Sequence, residues 1–506
     1  GVVERTAIER IDGDIQFVDE NGKKVAPEVG GGYASWSTMG VFGRINYNYR
    51  ERYLFEANLR TDGSSRFRST GRWGVFPSVS AGWNIAKEGF FRGASAYVST
   101  LKIRASYGTL GNQNTSSWYP TYQTMGYAFS AGQWLINGEK PNISWAPGLI
   151  SSSLTWERIR STDIGLDLGA FGNRLTMSFD WFMRDTDGMV GPADELPTIL
   201  GTNVPVTNNT NLRTKGFDFE IMWKDRLRCG LNYSAKFLLS DAQGTITKYS
   251  NPSGSLNNYY EGMKWGEFWG YETVGIAKTD AEMEYHLATM PEGGQDNLGS
   301  DWKAGDIMYA DINGDGKIDS GEYTLKNHGD LKVIGNTTPR YNFAFDFNFE
   351  WKGLDLRIFL QGVGKRQYIQ TSRYFFGATS DRWQSMGLTA HEDYFRDDPN
   401  HPLGLNLDSY YPRPVWGTDK NRQRQTRWVQ DASYMRLKNL QLGYSLPKKW
   451  VNAVKLAGVR IYFSGENLLT FTKMTKIFDP ETIGGVDLGN VYPLSRTYSF
   501  GVSITL

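Results

Sequence analysis

The segment 341–350, YNFAFDFNFE, sets Tyr341, Phe343, Phe345, Phe347 and Phe349 on alternate positions, with Asn342, Ala344, Asp346, Asn348 and Glu350 between them. In a strand, successive side chains point to opposite faces, so this segment has one aromatic face and one small or polar face. A helix, with its period of about 3.6, would mix the two sets. Two unlike faces need two unlike solvents, so the strand separates an apolar medium from a polar one. The C-terminus repeats the pattern: Tyr498, Phe500, Val502, Ile504 and Leu506 stand against Ser499, Gly501, Ser503 and Thr505.

The same template predicts thirteen strands, at 38–49, 52–61, 75–86, 100–109, 162–169, 174–184, 214–224, 230–240, 341–350, 354–363, 432–446, 458–467 and 494–506. Typical lengths of 10–12 fit a tilted membrane-crossing strand of ~9–11 residues better than a soluble strand of ~5–6. Composition agrees. Aromatics make up 14% of the chain and Gly 57 of 506 residues, and no apolar run approaches the ~18 residues of a transmembrane helix. Lys and Arg number 55 against 54 Asp and Glu, which removes the basic excess that nucleic-acid binding requires. The expected fold class is all-β, a transmembrane antiparallel β-barrel.

The connections between these strands mostly alternate in length. One set holds 2, 13, 4, 5, 3 and 11 residues and the other 13, 52, 29, 100, 68 and 26. Outer-membrane barrels have short periplasmic turns and long extracellular loops. The last strand then ends in the periplasm and the first descends from outside. Residues 1–37 are expected to be an extracellular loop, and 38–506 the C-terminal part of a barrel. Thirteen strands cannot close with both ends in the periplasm, so further strands are expected upstream of Gly1.

Ordered blocks along the chain resemble a known family. They include Gly43-Arg44-Ile45-Asn46-Tyr47, Arg60-Thr61-Asp62-Gly63-Ser64-Ser65-Arg66-Phe67, Phe76-Pro77-Ser78-Val79-Ser80-Ala81-Gly82-Trp83 and Arg104-Ala105-Ser106-Tyr107-Gly108. Near the end come Asp431-Ala432-Ser433-Tyr434-Met435-Arg436-Leu437, Gly465-Glu466-Asn467-Leu468 and Tyr492-Pro493-Leu494-Ser495-Arg496. The set resembles the SusC/RagA family of TonB-dependent outer-membrane transporters of Bacteroidetes. The resemblance implies a barrel of about 22 strands plugged by an N-terminal domain. It further implies import of oligosaccharides or peptides, a SusD-like lipoprotein lid over the mouth, and coupling to the TonB complex through an N-terminal region absent from this chain. The other function class that fits the residues is a structural or assembly barrel that scaffolds a surface complex without transport.

The sharpest local motif is 311–322, DINGDGKIDSGE. Asp311, Asn313, Asp315, Asp319 and Glu322 fall at positions 1, 3, 5, 9 and 12, Lys317 supplies a backbone carbonyl at position 7, and Gly316 stands at the sharp turn of position 6. This is the full twelve-residue calcium-loop spacing, which gathers hard oxygen ligands around one centre. No helical pattern flanks it. The expected cofactor is therefore structural calcium within an outer loop, with no organic cofactor.

Other polar and aromatic residues have simpler expectations. Loop 110–161 carries Trp118, Tyr119, Tyr122, Trp134, Trp145 and Trp156; loop 364–431 carries Arg373, Tyr374, Phe375, Phe376, Arg382, Trp383, Tyr410, Tyr411 and Trp416. These rings could stack on a ligand, but packing of loop on loop is the favoured reading of each. Tyr47, Tyr49, Tyr53, Trp83, Trp181, Trp223, Tyr233, Trp351 and Tyr444 lie near strand ends, where membrane interfaces place aromatics. Glu56, Arg60, Arg104, Asp346, Glu350 and Arg357 are expected in the lumen. Cys229 is the single cysteine, which excludes intrachain disulfides and cysteine-based zinc sites. No nucleophile, zinc or nucleotide signature appears, and no enzyme activity is expected.

Overall fold

The computed structural model describes residues 2–6, 30–115, 117–129, 131–193, 199, 205–378, 387–484 and 491–506. Thirteen strands build one antiparallel sheet in which each pairs with its neighbours in chain order. They are β1 (Thr38–Tyr49), β2 (Tyr53–Ser64), β3 (Trp73–Asn84), β4 (Val98–Asn112), β5 (Glu157–Ala170), β6 (Leu175–Pro192) and β7 (Val206–Arg226), then β8 (Asn232–Lys248), β9 (Arg340–Trp351), β10 (Leu354–Lys365), β11 (Tyr434–Ser445), β12 (Gly458–Thr472) and β13 (Thr497–Thr505). Each predicted strand is present. No helix of the described residues is long and apolar enough to cross a membrane, so any crossing is made by strands.

Register turns the alternation of single strands into two continuous faces. Directly opposed residues run from Trp83 through Ile103, Leu166, Phe179, Phe219 and Leu239 to Phe343. Neighbouring aromatics on this face touch: Phe237 stacks on Phe345 with ring centroids 4.9 Å apart, and Phe345 on Phe347 at 6.2 Å. Such cross-strand aromatic pairs fix register as well as adding stability.

Several strands run further than the alternation predicted, at their outer ends. β6 continues to Pro192, β7 begins at Val206, and β8 continues to Lys248. In these extensions the apolar face turns polar: after Met183 come Asp185 and Asp187, and after Leu239 comes Asp241. Asp185 pairs with Arg213 at 2.6 Å and Asp187 with Arg160 at 2.6 Å. A strand wet on both faces loses the pattern by which its ends were judged.

Four of the six inner connections, 50–52, 171–174, 227–231 and 352–353, are tight turns. Trp351 and Leu354 are paired across Lys352 and Gly353, which have φ of 47° and 88°. Two successive left-handed residues make the two-residue hairpin turn that matches strand twist, and glycine takes the second place without a Cβ penalty. At the other end of the sheet the long connections have structure of their own. Residues Val2–Thr6 and Gly30–Ala34, within the segment expected to be plain loop, form a two-stranded ribbon with Val2 opposite Ala34. The sheet has two outer edges, β1 and β13, each paired on one side only.

Candidate functional site

The polar face of the sheet is held by ion pairs along and across its strands. Arg104 on β4 is the centre of one cluster, donating to Asp167 on β5 at 2.9 and 3.0 Å and to Asp180 on β6 at 2.6 and 2.9 Å. Lys236 meets Glu220 at 2.8 Å, and Arg357 meets Asp346 at 2.9 Å. Arg60 pairs with Asp62, and Glu56 with Arg44. All six charges expected in the lumen stand on this face. A cleft of about 470 Å³ opens on it, with Asn46, Glu56, Lys102, Arg104 and Asp163 in its wall. The nine aromatics expected at membrane interfaces lie on the opposite face: Tyr49 faces Tyr53, and Trp223 donates to the Tyr233 hydroxyl at 3.1 Å.

Above the sheet, the described residues of connections 249–339 and 366–433 fold as one unit with its own core. Ile307, Tyr309 and Ile318 of the first loop are buried together with Phe375, Tyr411 and Trp428 of the second. Phe375 packs edge-on against Trp428 at 5.9 Å and Tyr411 at 6.0 Å. Each fully buried large apolar side chain contributes about 1.5–3 kcal/mol, which lets loops of this length hold one shape. Backbone pairing joins the loops as well: Tyr271 N donates to Arg424 O at 2.8 Å and Thr426 N to Tyr271 O at 3.0 Å.

The polar centre of this cap is Asp306, fully buried. Its carboxylate accepts from Arg413 at 2.8 Å and Asn421 at 2.9 Å and lies 2.9 Å from the Lys420 ammonium. Lys420, 1% exposed, also donates to the carbonyls of Ser300 and Asp301, both at 2.8 Å, and lies over the Trp302 ring. Burial pulls the Lys420 ammonium below its usual range, although Asp306 opposes the shift.

Aromatic packing of loop on loop holds for Phe375, Phe376, Tyr410, Tyr411, Trp118 and Trp156. Trp156 closes a small core with Phe67 and Phe76. Trp118 and Trp36 enclose the Arg66 guanidinium, 4.3 and 4.8 Å from their centroids. Trp134, Trp145 and Trp416 stay more than half exposed. Arg382 and Trp383 lie outside the described residues. A cavity of about 710 Å³ beside Trp416 is lined by Phe376, Leu388, Tyr394, Arg413 and Arg422.

Residues 311–322 form a compact polar loop. Gly316 adopts φ of 79°, as its turn position requires. Asp311 accepts from Gly314 N at 2.6 Å and Gly316 N at 2.8 Å, and Asn313 accepts from Asp315 N at 3.0 Å. Asp319 pairs with the Lys317 ammonium at 2.8 Å, which holds its carboxyl below the usual range. Among the described residues no group of three or more His, Cys, Asp or Glu is gathered as a metal shell. Glu322, the expected twelfth-position ligand, is exposed. The Asp330 carboxylate lies beneath the loop, fully buried, accepting from Ile312 N at 2.8 Å and Asp319 N at 2.9 Å. Burial pushes the Asp330 carboxyl above its ordinary range, despite these donors.

Residues 26–468 match the family described as TonB dependent receptor-like, beta-barrel. The chain belongs to this family. Among curated relatives, it is 30% identical to TonB-dependent receptor P3 of Formosa agariphila, over 92% of this chain and 45% of that protein. It is 28% identical to TonB-dependent receptor SusC of Bacteroides thetaiotaomicron, over 93% of this chain and 44% of that protein. The chain thus spans about half the length of the curated relatives it matches. The RagAB peptide transporter structure shares the fold, with a TM-score of 0.74 at 24% identity, covering 96% of this chain and 49% of that one. The resemblance to SusC and RagA carried by the sequence blocks therefore holds.

As a TonB-dependent receptor barrel, the sheet lies in the outer membrane, aromatic face to lipid, with its short turns at the periplasmic end. Three features of the receptor chain escaped the sequence reading. Asp306, Lys420 and Asp330 are single charges in polar loops, indistinguishable in sequence from surface residues. The partners of Asp306 are more than a hundred residues away. Asp330 is separated from the motif by a segment longer than the pattern allows.

Proposed function

We propose that this chain is the C-terminal barrel portion of a TonB-dependent importer of oligosaccharides or peptides, working with a SusD-like lipoprotein at the cell surface. The observation that carries the reading is the ordered outer cap, in which two long loops share one buried core above a polar, ion-paired inner face. A general pore has no use for such a cap; a receptor needs a shaped outer surface to meet cargo and partner. Kinship with SusC supports import, and the shared fold with the RagAB peptide transporter supports peptide as one cargo class. Energy comes from the TonB complex through a region outside this chain, and the plug and remaining strands precede it.

Within the cap we assign the loop 311–322 to structural calcium, held by Asp311, Asn313, Asp315, Asp319, Glu322 and the Lys317 carbonyl. Asp330 supports the loop backbone from beneath, through Ile312 N and Asp319 N. The oxygen donor set suits the ion. Calcium would pin the loop from which Ile318 enters the cap core.

Uptake tests the function. Cells lacking the gene should lose accumulation of labelled oligosaccharide or peptide, and cells lacking TonB should lose it equally. A structural barrel predicts unchanged uptake together with loss of a surface complex.

A further inference from the structure

The charges of the chain are placed unevenly. The connections at the inner end of the sheet, 50–52, 85–97, 171–174, 227–231, 352–353 and 446–457, hold ten Lys or Arg and two Glu. That is a surplus of eight cations in a chain whose whole net charge is +1. Both acids are already matched, Glu51 with Lys87 at 2.9 Å and Glu88 with Arg52 at 3.6 Å. Arg50, Arg92, Arg228, Lys352 and the three lysines of 446–457 are exposed and have no acidic partner among the described residues.

These cations lie among exposed apolar side chains. Trp450 and Val454 are 62% and 64% exposed, while Val451 between them is 2% exposed and anchors the short helix Lys448–Ala453 to the sheet. Phe90 and Tyr97 are also largely exposed. Two cations cap the last rings of the lipid-facing surface, Arg50 over Tyr49 at 5.2 Å and Lys352 over Trp351 at 4.8 Å. The outer margin of the same surface differs in carrying acids that are paired with arginine: Asp185 with Arg213, Asp187 with Arg160 and Asp241 with Arg340.

We propose that the inner rim binds the headgroups of anionic glycerophospholipids in the periplasmic leaflet. The rim continues directly from the face that meets acyl chains, so the groups at its depth are headgroups. Phosphate without a neutralising choline or amine complements the unpaired cations, while aromatic rings seat between headgroup and chain. The short helix 448–453 lies at this boundary, with Lys448 and Lys449 beside Trp450. The inference rests on the membrane placement of the sheet and is independent of what is transported.

The test uses the intact protein, upstream region included, extracted in mild detergent. It is offered an equimolar mixture of phosphatidylglycerol and phosphatidylcholine with identical acyl chains, and retained lipid is counted by native mass spectrometry. Phosphatidylglycerol should be retained roughly tenfold over phosphatidylcholine, with the preference falling as salt rises. Lys448→Gln combined with Lys449→Gln and Lys455→Gln should remove most of that preference. Lys215→Gln at the outer end should leave it intact. Heat-modifiable migration of both variants checks that the barrel is assembled. If the triple variant does not assemble, the salt dependence of the wild type still decides. Equal retention of the two lipids, or an unchanged preference in the assembled triple variant, would overturn the proposal. So would loss of an acidic protein partner in that variant with no change in lipid, which would assign the rim to the partner.

Discussion

Asp306 shows how one side chain can hold two loops together. A buried carboxylate without its partners is costly, and removing one member of a buried pair commonly costs about 3–5 kcal/mol. Asp306 faces Arg413, Lys420 and Asn421, all from the other loop. Asp306→Ala leaves Lys420 buried without its counter-charge, so the cap should loosen as a unit. Limited proteolysis should show new cleavage in both 249–339 and 366–433, while barrel migration on gels stays normal. The calcium loop makes a second prediction at this scale. Chelation, or Asp311→Ala with Glu322→Ala, should raise protease sensitivity near Asp315 and leave the barrel intact. Isothermal titration with calcium checks the same assignment; no binding heat, with cleavage unchanged by chelation, would make the motif a polar turn only.

At the scale of the strand, the two faces of β9 should respond in opposite ways. Phe345 stacks on Phe237 and Phe347 on the lipid side, whereas Asp346 pairs with Arg357 on the polar side. Phe345→Arg should cost about 2–4 kcal/mol near the midplane, and Asp346→Asn should cost little. Folding titrations into lipid vesicles measure both, and equal costs would contradict the assigned faces. Strands were legible because membrane and lumen impose opposite demands on alternate residues. The reading stopped where that contrast stopped: β5–β8 extend beyond their predicted outer ends, into segments where both faces are polar. It also missed the bulge between Leu437 and Asn439 on β11. That bulge leaves Arg436 to meet Asp479 at 2.6 Å and Lys438 to meet Glu481 at 2.7 Å. The outer cap was not legible, because its order comes from contacts between distant loops. Its aromatic content was visible, and the reading that those rings pack loop on loop holds at Phe375 and Tyr411.

At the scale of the whole molecule, the cap and the open edges point outward from this chain. The cap presents a folded surface above the sheet, and extraction in mild detergent should recover it with a SusD-like lipoprotein; repeated recovery without any partner would count against the lid. Central to the proposed function is that this sheet forms one part of a larger closed barrel. β1 and β13 each leave a row of backbone donors and acceptors unpaired on one side, and a membrane barrel has to pair them. A high-resolution map of the intact protein purified from the outer membrane decides the matter. The free edge of Thr38–Tyr49 should pair with a strand from upstream of Gly1, and Thr497–Thr505 with another such strand that closes the ring. A map in which Thr38–Tyr49 pairs directly with Thr497–Thr505, closing a barrel from this chain alone, would refute it.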